Sequence, residues 1–187
     1  MLKRLANLLL SCKGWRVDPY VPVTSRYVLI AAPHTSNWDL FYLLAMSWVL
    51  GLKISWMGKH TLFREPMGWV MRRFGGIPIR RHRSENLVEQ MARVFDESQS
   101  LVLTVPAEGT RSYVPHWKSG FYHIARRADV PIVPAYLDYA KKRGGLGPEI
   151  ILTDNIREDM DEIRAFYADA KGKYPECFGE ILLKEEF

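Results

Sequence analysis

Short apolar runs rich in branched residues alternate along this chain with longer segments in which apolar residues recur at helical spacing. The first pattern is typical of buried β-strands and the second of amphipathic helices. Strands are predicted over residues 27–32, 54–57, 76–80, 101–105, 132–137 and 149–153. Helices are predicted over residues 37–50, 65–74, 84–97, 117–128 and 158–170. Strands separated by helices pair in parallel, so the pattern predicts an α/β fold with a central mixed, mostly parallel sheet flanked by helices.

The composition fits one ordinary globular domain covering residues 1–187. The chain has 48% hydrophobic and 25% charged residues and no internal repeat or low-complexity linker, which excludes a disordered or fibrous protein. Cys12 and Cys177 share no metal-ligand spacing with the histidines. Neither a disulfide framework nor a zinc site is therefore expected, and a reducing, cytoplasmic compartment is the default.

The charged residues are unevenly distributed along the chain. The net charge is +5, but residues 59–145 carry fifteen positive and eight negative side chains, whereas residues 146–187 carry five and eleven. A basic centre suits an anionic partner such as a lipid phosphate.

The first 20 residues contain a candidate membrane-contacting helix. Read as a helix, this segment places Leu2, Leu5, Leu9 and Cys12 on one stripe, as in a helix that lies in a membrane interface. A helix packed on its own domain is the alternative that the sequence leaves open. The longest apolar run, residues 40–52, has 13 residues, whereas a spanning helix needs about 20, so any membrane contact should be peripheral.

His34 and Asp39 form the first candidate catalytic pair. His34 follows a predicted strand, and Asp39 lies at the start of the next predicted helix. Side chains five residues apart diverge in both a strand and a helix, so these two can meet only across a turn, which residues 35–37 would supply. A carboxylate beside one imidazole nitrogen leaves the other free to accept a proton, as in a general base. The alternative is structural, with the turn capping the helix and Asp39 at its positive end.

The chain contains no G-x-S-x-G nucleophile motif. A substrate hydroxyl deprotonated by His34 would then attack an acyl donor directly, without an acyl-enzyme.

Two glycine turns are followed by arginines that could hold an anion. Arg81 comes after Gly75-Gly76 and a predicted strand, and Arg111 follows Gly109 beyond another strand. The planar fork of a guanidinium binds phosphate oxygens in pairs, and glycine lets backbone amides point outward. A solvated basic face is the alternative, which we favour for Arg72, Arg73, Arg126 and Arg127.

These residues belong to five blocks that resemble, in order and spacing, the signature blocks of the glycerolipid acyltransferases, including the lysophosphatidate (1-acylglycerol-3-phosphate) acyltransferases. The blocks are the His34 and Asp39 pair, residues 75–81, residues 108–112, Lys118-x-Gly120 and residues 130–135, within a motif core of residues 28–138. The chain departs from the usual pattern at Pro33, where the family usually has asparagine, and at Ala107, where it usually has proline. It also has Pro78 and Arg80 where the second block usually has an aromatic residue and an acid, which adds an arginine to the phosphate block. These departures leave the identity of the acceptor open.

The resemblance implies a glycerol-phosphate-acyltransferase-like fold and roles for the motif residues. His34 would be the general base, and Asp39 would orient it. The residues implied to hold the phosphate of the acceptor are Arg81, Gly109 and Arg111. Further motif positions are Glu108, Thr110 and Lys118.

The resemblance also implies the substrates. The donor would be acyl-CoA or acyl carrier protein, used as a co-substrate with no metal and no bound cofactor, and the acceptor would be a lysophospholipid. The protein would serve phospholipid biosynthesis from the inner, cytoplasmic face of the membrane.

Two other functions remain open from the sequence. Within the same chemistry, the acceptor could be a hydroxyl or amine on another lipid or metabolite. In a different class, the chain could be a non-catalytic binder of anionic lipid, although such a binder needs neither His34 nor Asp39. Nucleic-acid binding is not expected, because the tryptophans and tyrosines fall in core patterns.

Overall fold

The computed structural model describes residues 2–79 and 87–187, which form six helices and seven strands. The helices are α1 Leu2–Cys12, α2 Trp38–Leu50, α3 Met67–Arg73, α4 Leu87–Asp96, α5 Gly120–Ala128 and α6 Ile156–Tyr167. The strands are β1 Arg16–Val17, β2 Arg26–Ala32, β3 Ile54–Lys59, β4 Gly76–Ile79, β5 Leu101–Val105, β6 Ile132–Asp138 and β7 Arg143–Leu146. Short 3₁₀ turns cover His60–Phe63, Pro175–Cys177 and Lys184–Glu186.

The seven strands form one sheet in the order β1-β7-β6-β2-β5-β3-β4. All neighbouring strands run parallel except β6 and β7, which are antiparallel. The prediction of a single α/β domain with a mixed, mostly parallel sheet is confirmed.

Helices cover both faces of this sheet. Ile30 of β2 and Leu103 of β5 are buried in the core formed with α4, α5 and α6. Their sequence neighbours Leu29 and Val102 are buried on the opposite face, where α2 packs. Because side chains alternate along a strand and both faces are covered, the central strands read as continuous apolar runs.

The strand predicted over residues 149–153 is wrong. In that segment Ile150 makes an isolated bridge to β6, whereas the antiparallel neighbour of β6 is β7. Glycine is depleted in strands, so the sequence pattern around Gly144 and Gly145 did not predict β7. Close packing requires them, since a Cβ at Gly144 would lie 2.5 Å from the Met46 sulfur and one at Gly145 would lie 2.6 Å from Asp18 Cβ. Strand β1 has two residues, which are too few to show the alternation of apolar and polar side chains that predicts a strand.

The other predicted elements are present, with ends shifted by at most three residues within the described ranges. Helix α5 begins at Gly120, not at residue 117, and the amides of Trp117 and Lys118 donate to carbonyl oxygens elsewhere in the fold at 2.8 Å each. The predicted helix start at Ser84 and strand end at Arg80 lie outside the described residues.

Helix α1 packs on α2 through a narrow face. Ala6 and Leu10 are each 1% exposed in a cluster that also contains residues of α2, whereas Leu2, Leu5 and Leu9 remain 54%, 52% and 43% exposed. The helix therefore docks on its own domain and leaves an apolar stripe exposed, and membrane contact by this stripe stays a prediction. No helix within the described ranges has the length and apolar character that crossing a bilayer requires.

The carboxyl ends of three parallel strands meet at one edge of the sheet. Strand β2 lies between β5 and β6 and runs parallel to both. The segments that follow these strands carry His34, Glu108 and Tyr139. In parallel sheets, ligands bind at this edge.

Candidate active site

The turn between β2 and α2 is closed by Asp39. Its Oδ2 accepts hydrogen bonds from the main-chain amides of Thr35 and Ser36, each at 2.8 Å. Asn37, at the N-cap position of α2, makes no capping hydrogen bond with its side chain. The carboxylate therefore bends the chain back over the turn and fixes its own position relative to His34.

His34 and Asp39 face each other across this turn. The Nδ1 atom of His34 lies 3.3 Å from Oδ2 of Asp39, within ion-pair distance. The His34 side chain retains 21% exposure and lines a large cavity, whereas Asp39 is buried. With Nδ1 next to the carboxylate, Nε2 on the other side of the ring is the nitrogen left for a substrate.

Asp39 has a further partner that the sequence reasoning missed. The hydroxyl of Tyr139 donates to Oδ1 of Asp39 at 2.6 Å. Burial and this hydrogen bond raise the pKa of Tyr139 above its ordinary value, so the phenol keeps its proton. Tyr139 directly follows β6, so its position at the carboxyl edge of the sheet was the signal that could have found it.

Glu108 holds the main chain of His34. Its carboxyl group accepts the His34 amide N–H, at 2.8 Å from Oε2 and 3.1 Å from Oε1, and the residue is 2% exposed. Burial raises the pKa of Glu108 to about 8, the hydrogen bond from His34 opposes this rise, and the Asp39 carboxylate adds to it. From sequence, Glu108 was a motif position without a role, and its contact makes it a support for His34.

The loop after Glu108 brings cationic groups to the cavity. Gly109 has φ +71°, a left-handed conformation that favours glycine, and the chain then turns toward Arg111. Arg111 and Lys118 are exposed and line the cavity. In the part of the chain that the structure describes, neither cation is held in an ion pair, so both are available to an anion.

Two predicted site residues remain, Thr110 and Arg81. Thr110 is exposed, and its hydroxyl accepts the Ser112 amide at 3.4 Å, a local contact within the loop. Arg81 lies outside the described residues, so its place in the site stays a prediction.

A cavity of about 750 Å³ opens beside His34. Small-molecule sites commonly measure roughly 300–1,000 Å³. Its wall is mostly apolar and comes from both faces of the sheet, with Leu43 on α2 and Phe121 on α5 as examples. Thr104 adds a hydroxyl that is buried without a hydrogen-bond partner in the described structure. The space is suited to a hydrocarbon chain.

The described ranges contain no cluster of side chains that could ligate a metal ion. No three His, Cys, Asp or Glu side chains of residues 2–79 and 87–187 group together as metal ligands would. Cys12 and Cys177 are both free thiols.

Comparison with protein families and curated sequences shows which known proteins the chain resembles. The family model described as Acyltransferase matches residues 17–138. A chloroplastic 1-acyl-sn-glycerol-3-phosphate acyltransferase of Brassica napus is 29% identical over 138 residues, which are 71% of this chain and 39% of that protein. The 1,4-alpha-glucan branching enzyme GlgB of Rhodococcus jostii is 27% identical over 176 residues, which are 92% of this chain and 22% of that protein. The chain thus spans well under half the length of both curated relatives.

A solved structure shares the fold. The 1-acyl-sn-glycerophosphate (LPA) acyltransferase PlsC of Thermotoga maritima matches with a TM-score of 0.58 at 14% sequence identity, over 90% of this chain and 74% of that chain. At this identity the likeness shows a common architecture.

The raised pKa of Glu108 predicts a pH-dependent stability. In the folded state the carboxyl group holds its proton up to about pH 8, whereas in the unfolded chain it releases it near the ordinary value of 4.5. The folded protein therefore binds more protons in this window, and its stability falls as the pH rises through it. Glu108→Gln keeps an acceptor for the His34 amide but does not titrate.

We expect the free energy of unfolding of the wild type, relative to Glu108→Gln, to fall by more than about 1.4 kcal/mol between about pH 5 and about pH 8. Urea unfolding of both proteins across this range measures the difference. If the free energies of unfolding of the two proteins changed equally with pH, the raised pKa of Glu108 would be contradicted.

Proposed function

Because the chain belongs to the acyltransferase family, we propose that it transfers a fatty acyl group from a thioester, acyl-CoA or acyl carrier protein, to the hydroxyl of a lysophospholipid such as 1-acylglycerol-3-phosphate. One observation carries the proposal. An imidazole and a carboxylate lie 3.3 Å apart beside a large apolar cavity that also exposes an arginine without an ion-pair partner in the described structure.

His34 acts as the general base in this proposal. Its Nε2 takes the proton of the acceptor hydroxyl as the oxygen attacks the thioester carbonyl carbon. A C–O bond forms, the carbonyl oxygen carries the negative charge, and the C–S bond then breaks. The leaving thiolate takes the proton from the imidazolium, which releases ester and thiol and returns His34 to the neutral form. Asp39 stabilises the positively charged ring between these two steps.

The acceptor phosphate is assigned to the loop that follows β5. Arg111 offers a forked guanidinium, and Gly109 lets the main chain turn sharply below it. Lys118, whose Cγ would lie 3.0 Å from a Cβ at position 109, adds a second charge. Arg81 is proposed as a further phosphate ligand on the resemblance of its block alone. Binding the phosphate holds the hydroxyl at His34, which converts binding energy into positioning.

The acyl chain is assigned to the apolar cavity. Each methylene group that leaves water contributes about 0.8 kcal/mol, so a chain seated there binds through its length. Leu40, on the first turn of α2, is 46% exposed and also lines the cavity, so the apolar wall reaches the surface at this helix.

The names of two similar proteins support this acceptor class. The Brassica napus relative is named for 1-acyl-sn-glycerol-3-phosphate, and the Thermotoga maritima structure for the same lysophospholipid. The branching enzyme name belongs to a protein of which this chain matches about a fifth of the length. The order of motif residues within 17–138 favours the lipid acceptor.

Peripheral binding to a membrane would bring the protein to the lipid substrates of the proposed reaction. Exposed apolar side chains lie on α1 and on the first turn of α2; this N-terminal apolar surface consists of Leu2, Leu5, Leu9, Trp38 and Phe41. The two parts are joined by packing of α1 on α2 and by ring contacts that run from Trp38 through Phe41 and Tyr42 to Trp15. Apolar side chains next to basic ones, here Lys3 and Arg4, are typical of helices that bind anionic bilayers.

Removing the proposed base should abolish transfer. We expect His34→Ala to lower kcat at least about 100-fold, the lower end of general-base contributions, with the fold retained. Release of free thiol from acyl-CoA in the presence of 1-acylglycerol-3-phosphate measures the rate. His123→Ala is the matched control, since this half-exposed histidine of α5 does not line the cavity. A His34→Ala protein with wild-type turnover would refute the dyad.

Removing the proposed phosphate ligand should discriminate between acceptors. Loss of a charge-assisted contact predicts that Arg111→Ala lowers kcat/KM about tenfold or more for 1-acylglycerol-3-phosphate but little for 1-acylglycerol. Arg126→Ala, which removes an exposed arginine paired with Asp154, is the control. Equal losses on both acceptors would show that Arg111 does not bind phosphate.

Charging the N-terminal apolar surface should release the protein from vesicles. We expect the wild type to float with vesicles of phosphatidylcholine and phosphatidylglycerol in a density gradient, and Leu5→Glu/Leu9→Glu to stay at the bottom. Ile151→Glu alters an exposed apolar residue outside this surface and should float normally. Flotation of the double variant at the wild-type level would exclude α1 as the contact.

A further inference from the structure

We propose that Tyr139 is a positioning residue for the reaction, acting through Asp39, and that the ring of Trp15 holds it in place. The inference rests on the proposed function, because it assigns a role relative to the His34 and Asp39 pair. Tyr139 lies one residue beyond the stretch that matches the family model, which ends at Asp138.

The contacts of Asp39 divide between its two oxygens. Oδ2 accepts the amides of Thr35 and Ser36 and lies next to the His34 ring. Oδ1 accepts the Tyr139 hydroxyl at 2.6 Å. A carboxylate held at both ends cannot rotate about its Cβ–Cγ bond without losing a hydrogen bond, so its face toward His34 is set.

The Tyr139 ring is itself held by an aromatic cluster. Its centroid lies 5.0 Å from that of Trp15, edge to face, and 5.8 Å from that of Tyr42, again edge to face. The rings of Trp15 and Tyr42 have centroids 4.5 Å apart and planes tilted by 30°. The Tyr139 main-chain amide also donates to the carbonyl of Lys171 at 2.9 Å. With both ring and backbone fixed, the hydroxyl has one orientation toward Asp39.

This arrangement gives Tyr139 a role in turnover. Without the hydroxyl, Oδ1 of a buried carboxylate loses its partner, and only the contacts to Oδ2 still hold the carboxylate against Nδ1 of His34. A tyrosine that only filled space would lose little when replaced by phenylalanine, because the ring remains. A positioning tyrosine changes the rate of the chemical step and leaves substrate binding intact.

The test compares Tyr139→Phe with Tyr122→Phe in the thiol-release assay with acyl-CoA and 1-acylglycerol-3-phosphate. Tyr122 donates to the buried Asp159 at 2.7 Å and does not line the cavity, so its variant removes a similar hydrogen bond away from the dyad. We expect Tyr139→Phe to lower kcat about tenfold with both KM values within about twofold of wild type. Tyr122→Phe should show a similar drop in melting temperature with an unchanged kcat.

A second readout follows the His34 ring directly. Its ¹⁵N signals are identified by their absence in His34→Ala, and we expect them to move in Tyr139→Phe but not in Tyr122→Phe. Trp15→Leu keeps the hydroxyl but removes its ring support, and should lower kcat less than Tyr139→Phe does; it reports on the same contact if Tyr139→Phe does not fold.

The outcomes separate this inference from the proposed function. If His34→Ala is inactive while Tyr139→Phe keeps wild-type kcat, the dyad stands and the positioning role is overturned. An effect of Tyr139→Phe confined to KM overturns it as well. If His34→Ala retains activity, the proposed mechanism itself fails, whatever Tyr139→Phe does.

Discussion

The hydrogen bond between the buried Glu108 carboxyl group and the main-chain amide of His34 joins the segments that follow β5 and β2. The remaining geometry of the candidate site depends on this contact. It places the backbone of His34, and the turn closed by Asp39 then places the ring relative to that backbone. The imidazole is thus located by main-chain contacts, and no contact with the described residues occupies its far nitrogen, Nε2. In the proposed mechanism, a site built this way is arranged before substrate arrives, so little reorganisation is needed during the reaction.

The sequence pattern predicted the architecture well where burial dominates. β2, β5 and β6 read as continuous apolar runs because helices cover both of their faces, and the parallel order follows from the helices between them. The pattern did not predict β7, where the close approach of neighbouring atoms matters more than hydrophobicity. β7 contains a glycine pair because Met46 and Asp18 occupy the space that side chains would need, and no periodicity records such a constraint.

The site was predictable only for contacts that are short in sequence. The five-residue offset between His34 and Asp39 contains the turn that brings them together. The partners that support them, Glu108 and Tyr139, are 74 and 100 residues away from the groups they bind, and only the sheet order makes them neighbours. Strand order is set by the tertiary packing of the whole domain, so a local pattern could name Glu108 as a motif residue but could not say what it touches.

Residues beyond position 138 also contact the turn between β2 and α2. The amide of Tyr174 donates to the Thr35 hydroxyl, and a Cβ at Gly172 would lie 2.7 Å from the same oxygen, so the late segment of the chain is packed directly on residues 33–35. The segment that identifies the family, 17–138, is therefore not a module that can be exchanged freely. A chimera that transplanted it between relatives would combine the histidine and aspartate of one parent with the tyrosine and the closing segment of the other. Co-adaptation across that junction, more than the motifs themselves, would decide whether the hybrid worked.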